Sequence, residues 1–212
     1  MKLCGQDVPF RNGIVFRHEA LRDYSFGIEI CEDLWVPCPP CERLTASGAN
    51  IICNPSASDE VIGKEGYRRL LVSSTSARLA CGYVYSNAAS SESTQDMVFS
   101  NHHIIAENGT LLAENRPFEE NGLIVSEIDV ARLTHERHRI TTYDVVPGGY
   151  EVIFSQEIRK TGLTRHFDRN PFVPPHDAQI NERAGAILRI QSYGLKKRLE
   201  HARAKTAVIG IS

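Results

Sequence analysis

The chain has 212 residues, of which 42% are hydrophobic and 24% charged, and its formal net charge is −2. That length suits one large domain, or one domain plus part of another, and the near-neutral balance gives no reason to expect nucleic acid or an anionic membrane as a partner. There is no apolar run long enough for a membrane span, the first residues lack the apolar core of a signal peptide, and the expected location is cytoplasmic.

In chain order, residues 14–16 and 25–31 read as strands. The second, Ser25-Phe26-Gly27-Ile28-Glu29-Ile30-Cys31, is nearly continuous in apolar character and stops at Glu32-Asp33, a pattern expected of a strand buried on both faces. Pro37, Pro39 and Pro40 then forbid regular pairing. A short helix is predicted over 41–48, closed by Gly48, followed by a buried strand over 50–54. The spacing predicts a helix over 65–81, with Tyr67, Leu70, Leu71, Ser74, Ala77, Arg78 and Cys81 on the packed stripe and Gly82 as its stop. Residues 83–87 return as a strand, and this alternation argues for an α/β layered domain.

Beyond residue 95 the texture changes. Runs 97–107 and 110–114 flank Asn108-Gly109, a strong hairpin signal because both central residues of a type I′ turn need positive φ. Residues 123–129 alternate like another strand, so an antiparallel meander is expected. A short helix follows over 129–139, and its His135, Arg137 and His138 are expected in solvent. Residues 141–178 read as a linker, marked by Pro171, Pro174 and Pro175. From residue 179 a helix carries Ala184, Ile187, Leu188, Gln191, Leu195 and Leu199 on one stripe and ends in a basic turn, Lys196 to Arg203. Residues 205–212 then read as a buried strand. Residues 171–212 are expected to open a second domain, the alternative being a last strand that pairs back onto the first sheet.

Of six cysteines (Cys4, Cys31, Cys38, Cys41, Cys53 and Cys81), expected as free thiols, Cys31 holds the position of most chemical interest. It sits where a buried strand gives way to an acidic, proline-broken turn. A nucleophile at such an elbow is held rigidly beside backbone N–H groups that can donate to an oxyanion; a cysteine there can equally be core. Cys38-Pro39-Pro40-Cys41 lacks the second ligand pair of a zinc site and fits a rigid loop better than a redox motif. Adjacent His102 and His103 on a strand face opposite ways and are read as structural. Arg68, Arg69 and Arg78 are expected as helix-face charges or subunit contacts.

The segment Gly27-Ile28-Glu29-Ile30-Cys31-Glu32-Asp33-Leu34-Trp35-Val36-Pro37 resembles the nucleophile segment of the nitrilase-type carbon–nitrogen hydrolases, and is most similar to the amidase domain of glutamine-dependent NAD+ synthetases. Asn54-Pro55-Ser56-Ala57-Ser58, Gly63-Lys64, Tyr67-Arg68-Arg69, Ser73 to Arg78, Glu92 to Ser100 and Ile105 to Gly109 follow at that domain's spacing. Pro171-Phe172-Val173-Pro174 and Val208 to Ser212 look like the linker and the strand before the synthetase's nucleotide loop.

The resemblance implies a partial αββα sandwich over 1–140, a linker over 141–178, and over 179–212 the first helix and strand of an adenine-nucleotide α-hydrolase-like domain. It implies that Cys31 attacks the side-chain amide of glutamine, forms a thioester and releases ammonia for the amidation of deamido-NAD+ to NAD+. It also implies that Glu32 and Trp35 line the glutamine pocket, with Glu32 at the substrate's α-amino group, and that Ser58 binds substrate. Glutamine is then the partner of this part. Deamido-NAD+, ATP and Mg2+ serve the whole enzyme, and a homo-oligomer is expected.

The family's general-base Glu and oxyanion Lys lie upstream of the nucleophile segment. Lys2, Glu19 and Glu29 are the candidates before Cys31, and none sits in the family's motifs. Glu29 shares a strand with Cys31 but cannot easily reach its sulfur, and Lys64 does not match the family Lys. The expectation is a piece inactive by itself and marginal in stability, with one sheet face uncovered. The rivals are a stand-alone amidase with a different base and a non-catalytic assembly domain.

Overall fold

A computed structural model describes residues 1–119, 122–146, 149–167, 169, 177–208 and 210. They fall into two units, Met1–Arg165 and His166–Ser212. A small hairpin, β1 (Lys2–Leu3) and β2 (Gln6–Asp7), precedes the main sheet. Its strands are β3 (Ile14–His18), β4 (Ser25–Ile28), β5 (Ile51–Ser56), β6 (Gly82–Asn87), β7 (His103–Glu107), β8 (Thr110–Glu114) and β9 (Tyr150–Phe154). Helices α1 (Pro40–Ala46), α2 (Lys64–Arg78), α3 (Val130–Arg139) and α4 (Asp177–His201) complete the chain.

The order across the sheet is β8-β7-β6-β5-β4-β3-β9. The centre, β4-β5-β6, is parallel; β3 pairs antiparallel to β4, and β7 and β8 continue antiparallel from β6. Helices α1 and α2 are the crossovers β4-to-β5 and β5-to-β6, so a mixed α/β fold around a large central sheet is established. On the face they cover, Val15, Ile52, Tyr83, Tyr85, Ile104 and Ala106 are buried with Leu44 and Val72 in one core. The register puts Phe16, Phe26 and Ile51 in one row of the other face, and Ile28, Cys53, Val84 and Ile105 in the next.

Local chemistry explains the junctions. Helix α1 ends in a Schellman arrangement: the Gly48 N–H reaches the Thr45 carbonyl, the Ala49 N–H reaches the Leu44 carbonyl at 3.0 Å, and Gly48 takes the left-handed φ of 102° that this closure requires. Asn108 (φ 45°) and Gly109 (φ 84°) form the expected primed turn between β7 and β8. The Asp129 side chain accepts from the Arg132 N–H and starts α3.

Several expectations are corrected. Helix α2 buries Arg68, Val72, Thr75 and Ser76, one residue out of phase with the predicted stripe, and leaves Tyr67 and Leu70 exposed. The core face is disguised in sequence because an arginine, a threonine and a serine occupy it. Its stop is Ala80, in a left-handed conformation (φ 45°), with Cys81 N–H on the Ser76 carbonyl. Gly82 instead begins β6, where the Ile128 side chain crosses it. Residues 123–129 are not a strand: the chain crosses the sheet there rather than joining an edge, and Leu123 and Val125 are exposed.

Residues 141–178 are not all linker. β9 pairs parallel with β3, and Arg165 grips the buried Glu107 carboxylate through both terminal nitrogens at 2.8 Å. Arg137 is not free in solvent, since it donates to the Ala49 and Ala80 carbonyls. Residues 205–208 are exposed and form no strand; Ile209, Ile211, Ser212 and the linker prolines Pro171, Pro174 and Pro175 lie outside the described residues. The apolar stripe of α4 is present, with Ile187, Leu188 and Leu195 exposed. Among the described residues no helix is long and apolar enough to cross a membrane.

Candidate active site

Because β4, β5 and β6 are parallel, their carboxyl ends gather at one end of the sheet, where open α/β sheets place their ligands. Cys31 lies at that end, just past β4. The last ladder bond is from the Glu29 N–H to the Cys53 carbonyl, 3.1 Å. The chain then bends, and Cys31 takes φ 52°, a left-handed conformation uncommon for a residue with a Cβ. Two side chains hold the bend. The Asp33 carboxylate accepts the Ile30 N–H at 2.7 Å. The Asn54 amide accepts the Cys31 N–H at 3.1 Å and donates to the Cys31 carbonyl at 3.4 Å. One 3-10 turn, Cys31–Leu34, follows. Cys31 is half-buried and is not sealed in the core.

Glu32 is exposed in this turn, and Trp35 closes it half-buried. The Trp35 ring lies 5.4 Å from that of Tyr67, and the Lys64 ammonium is 5.4 Å from the Trp35 ring centre. Lys64 also hydrogen-bonds the Asp59 carboxylate at 2.8 Å, which holds that carboxyl below its usual range. Ser58 is buried beyond β5 and is gripped by Asn87 at the end of β6: its N–H donates to Asn87 Oδ1 at 2.8 Å and its carbonyl accepts from Nδ2 at 3.0 Å. The two clamped segments therefore leave neighbouring strands side by side, and all four sequence-predicted residues, Cys31, Glu32, Trp35 and Ser58, lie at this end of the sheet.

Among the described residues no carboxylate or ammonium hydrogen-bonds the Cys31 sulfur. Glu29 points inward, accepting from the Tyr83 hydroxyl and from the Cys41 N–H. Burial pushes the Cys41, Cys53 and Cys81 thiols up, Cys81 to about 12, so these three stay protonated and poorly nucleophilic. Cys38 and Cys41 do not act as a pair: Cys38 is exposed, whereas Cys41 is buried in the first turn of α1, with Pro39 as its cap and Pro40 opening it. Among the described residues no group of three His, Cys, Asp or Glu could hold a metal.

Sequence reasoning missed two features. Asn54, within β5 but beyond the end of its neighbour β4, and Asn87, the last residue of β6, each pair an amide with the main chain of the segment leaving the adjacent strand, and their signal was an asparagine following an apolar run. Arg68 is fully buried rather than on a helix surface. It donates to Glu60 at 3.0 Å and to His102 Nδ1 at 2.8 Å, and His102 Nε2 reaches Glu114 at 2.8 Å. Accepting at Nδ1 and donating at Nε2 fixes the neutral tautomer of His102, in line with burial pushing its pKa down. A rival cleft of about 390 Å³, lined by Arg17, Arg22, Asn50, Thr134 and Arg137, opens near the Gly48–Asn50 turn that precedes β5; there Arg17 is engaged by Glu151, and Arg137 by the Ala49 and Ala80 carbonyls.

A family model described as carbon-nitrogen hydrolase matches residues 6–137. The chain is 33% identical over 224 residues to the glutamine-dependent NAD(+) synthetase of Mycobacterium tuberculosis (strain ATCC 25618 / H37Rv), covering all of this chain and 33% of that protein. It is 34% identical over 215 residues to that of Mycobacterium leprae (strain TN), covering 96% and 32%. A crystal structure of a glutamine-dependent NAD(+) synthetase from Cytophaga hutchinsonii aligns at TM-score 0.40 and 33% identity over 47% of this chain and 15% of that one. The chain thus spans about a third of the length of the curated relatives it matches.

Proposed function

Since the chain belongs to the carbon–nitrogen hydrolase family, we propose that it is the nucleophile-bearing part of a glutamine amidase, whose ammonia serves the ATP-dependent amidation of deamido-NAD+ to NAD+. The observation that carries this reading is Cys31 itself: a half-exposed thiol on a left-handed bend, held by Asn54 at the carboxyl end of a parallel strand. The relatives' printed activity supports the choice of glutamine.

In this reading the Cys31 sulfur attacks the carboxamide carbon, a C–S bond forms, and the C–N bond breaks as the nitrogen leaves with a proton as ammonia. Water then cleaves the thioester to glutamate and restores the thiol. Glu32 binds the α-amino group through its carboxylate and offers its N–H to the oxyanion. Trp35 packs on the substrate's methylenes and Ser58 hydrogen-bonds its polar end. A base must take the thiol proton and a cation must balance the oxyanion. Glu29 and Lys64 are both engaged elsewhere, so the 212 residues alone bind and acylate poorly and do not turn over.

The partly open, apolar sheet face supports the αββα reading, in which a second sheet stacks on it. The proposed division keeps 179–212 as the opening of an adenine-nucleotide α-hydrolase-like domain, while β9 extends the amidase part past the expected boundary at 140. In this reading deamido-NAD+, ATP and Mg2+ serve the whole enzyme and no step on this chain is assigned to them. Homo-oligomerisation and a cytoplasmic setting complete the proposal.

The test is site-resolved labelling with a glutamine analogue carrying a diazoketone in place of the amide, alongside ammonia release from glutamine. Labelling of Cys31 without turnover is expected. Turnover abolished by Cys31→Ala would instead make the chain a stand-alone amidase, and absence of any Cys31 labelling would overturn the enzymatic reading.

A further inference from the structure

Glu29 just past β4, Tyr83 on β6 and Asn54 on β5 form one chain of hydrogen bonds that ends on the backbone of Cys31. Glu29 leaves β4 pointing into the core, 1% exposed. One of its oxygens accepts the Cys41 N–H at 2.8 Å, in the first turn of α1, where the positive end of the helix favours a carboxylate. The other accepts the Tyr83 hydroxyl. Tyr83 is fully buried on β6, and burial together with the Glu29 carboxylate pushes its phenol up, so it keeps the proton it donates. With that proton committed to Glu29, the Tyr83 oxygen faces its other partner as an acceptor only, and it receives Asn54 Nδ2 at 3.2 Å.

This orients the Asn54 amide. Its NH2 end must face Tyr83, so its carbonyl end must face Cys31 and accept the N–H at 3.1 Å. The Ser56 hydroxyl, donating to the same oxygen at 3.1 Å, agrees with that orientation. If the amide were reversed, its oxygen would confront the Tyr83 oxygen, acceptor against acceptor, and its NH2 would confront the Cys31 N–H, donor against donor. The left-handed bend at Cys31 is costly for any residue but glycine, and a fixed acceptor on its N–H is what the fold supplies to retain it.

We propose that Glu29, Tyr83 and Asn54 are positioning residues for the Cys31 thiol, acting by fixing one orientation of the Asn54 amide and through it the left-handed backbone on which the sulfur is carried. The inference rests on the proposed function only in treating Cys31 as the nucleophile. It also gives Glu29 a role distinct from that of a general base, since its carboxylate is turned away from the sulfur and towards Tyr83.

The test uses the 212-residue chain and has two arms. In the first, thermal unfolding compares Cys31→Gly with Cys31→Ala, each alone and combined with Tyr83→Phe. Glycine relieves a left-handed residue and alanine does not, so with the chain of bonds intact the glycine variant melts about 2–4 °C higher. With Tyr83→Phe that difference falls by half or more, because the backbone is no longer held. An equal difference in both backgrounds, or none in the first, overturns the proposal. Asn54→Ala takes the place of Tyr83→Phe, with the same criteria, if the latter does not fold.

In the second arm, Cys31 is labelled by the diazoketone glutamine analogue and, separately, by iodoacetamide, with exposed Cys38 as the internal reference. Tyr83→Phe is expected to lower directed labelling about tenfold while iodoacetamide labelling stays within about twofold, the mark of lost alignment rather than lost access. Equal loss with both reagents, or none with either, overturns the proposal. Should the unmodified chain fail to take the directed reagent while the glycine–alanine difference still collapses on Tyr83→Phe, the amidase reading fails and the positioning inference stands.

Discussion

The two faces of the seven-stranded sheet follow opposite rules. On the helix-covered face, Ile52, Tyr83 and Ile104 are fully buried, and the polar groups among them, Glu29, Asn54, Arg68 and His102, are all bonded inside the protein. On the other face, the row Ile28, Cys53, Val84 and Ile105 is apolar yet uneven in exposure, with Ile28 44% exposed against 8% for Ile105. The first face is finished by its own crossovers. The second is written in core residues but left partly in water, and apolar character alone therefore does not report burial. Glu29, Tyr83 and Asn54 are sealed as one network, and Arg68, Glu60, His102 and Glu114 as another; breaking one costs more than trimming an aliphatic side chain.

The largest effect expected from this contrast is at Arg68. Arg68→Ala removes a fully buried cation and strands Glu60 and His102, lowering stability by about 3–5 kcal/mol, measured by urea unfolding. Ile52→Ala, in the middle of the covered face, follows at about 2–5 kcal/mol by the same measurement. If Arg68→Ala costs less than 1 kcal/mol, the network is ornamental and the contrast collapses.

Acid sharpens the comparison. Burial holds His102 and His103 below the ordinary value of 6.5, so the folded chain binds fewer protons than the unfolded one as pH falls through that value. Stability from the neutral rings is therefore complete above about pH 6.5 and is lost as pH falls towards their lowered folded values. Unfolding midpoints at pH 7.5 and pH 5.5 should show the drop, and His102→Gln should reduce it.

Smaller effects remain. Ala80→Gly relaxes the left-handed residue that stops α2 and is expected to stabilise by about 0.5 kcal/mol. Ile28→Ser on the open face should change stability by less than about 0.5 kcal/mol while lowering binding of a hydrophobic dye. A large loss there would mean that the face is covered in solution.

Much of this fold was readable wherever one local rule decided the outcome. Asn108-Gly109 fixed a hairpin, Gly48 closed α1, and the apolar run into Glu32-Asp33 located the Cys31 bend. Reading failed where the answer depends on what lies across space. The packed face of α2 lies one residue away from the stripe its apolar spacing predicts, because Arg68 is buried by partners 8 and 34 positions away. Residues 123–129 have the alternation of a strand but pair with none. Strand β9 looked like linker because its partner, β3, lies near the other end of the domain. At the site, Cys31, Glu32, Trp35 and Ser58 came from motifs, whereas Glu29 and Tyr83 came to light only through the register of β4, β5 and β6, which no window of neighbouring residues contains.

The two asparagines that clamp the segments leaving β4 and β5 have a broader consequence. A carboxamide carries the same donor and acceptor as a peptide group, at the tip of a short, stiff spacer. Asn54 and Asn87 therefore add one more rung to the ladder after the main chains have parted, and the strands can splay by a side chain's length without leaving a peptide group thirsty. The segments that carry Cys31 and Ser58 thus leave the sheet with their peptide groups still paired.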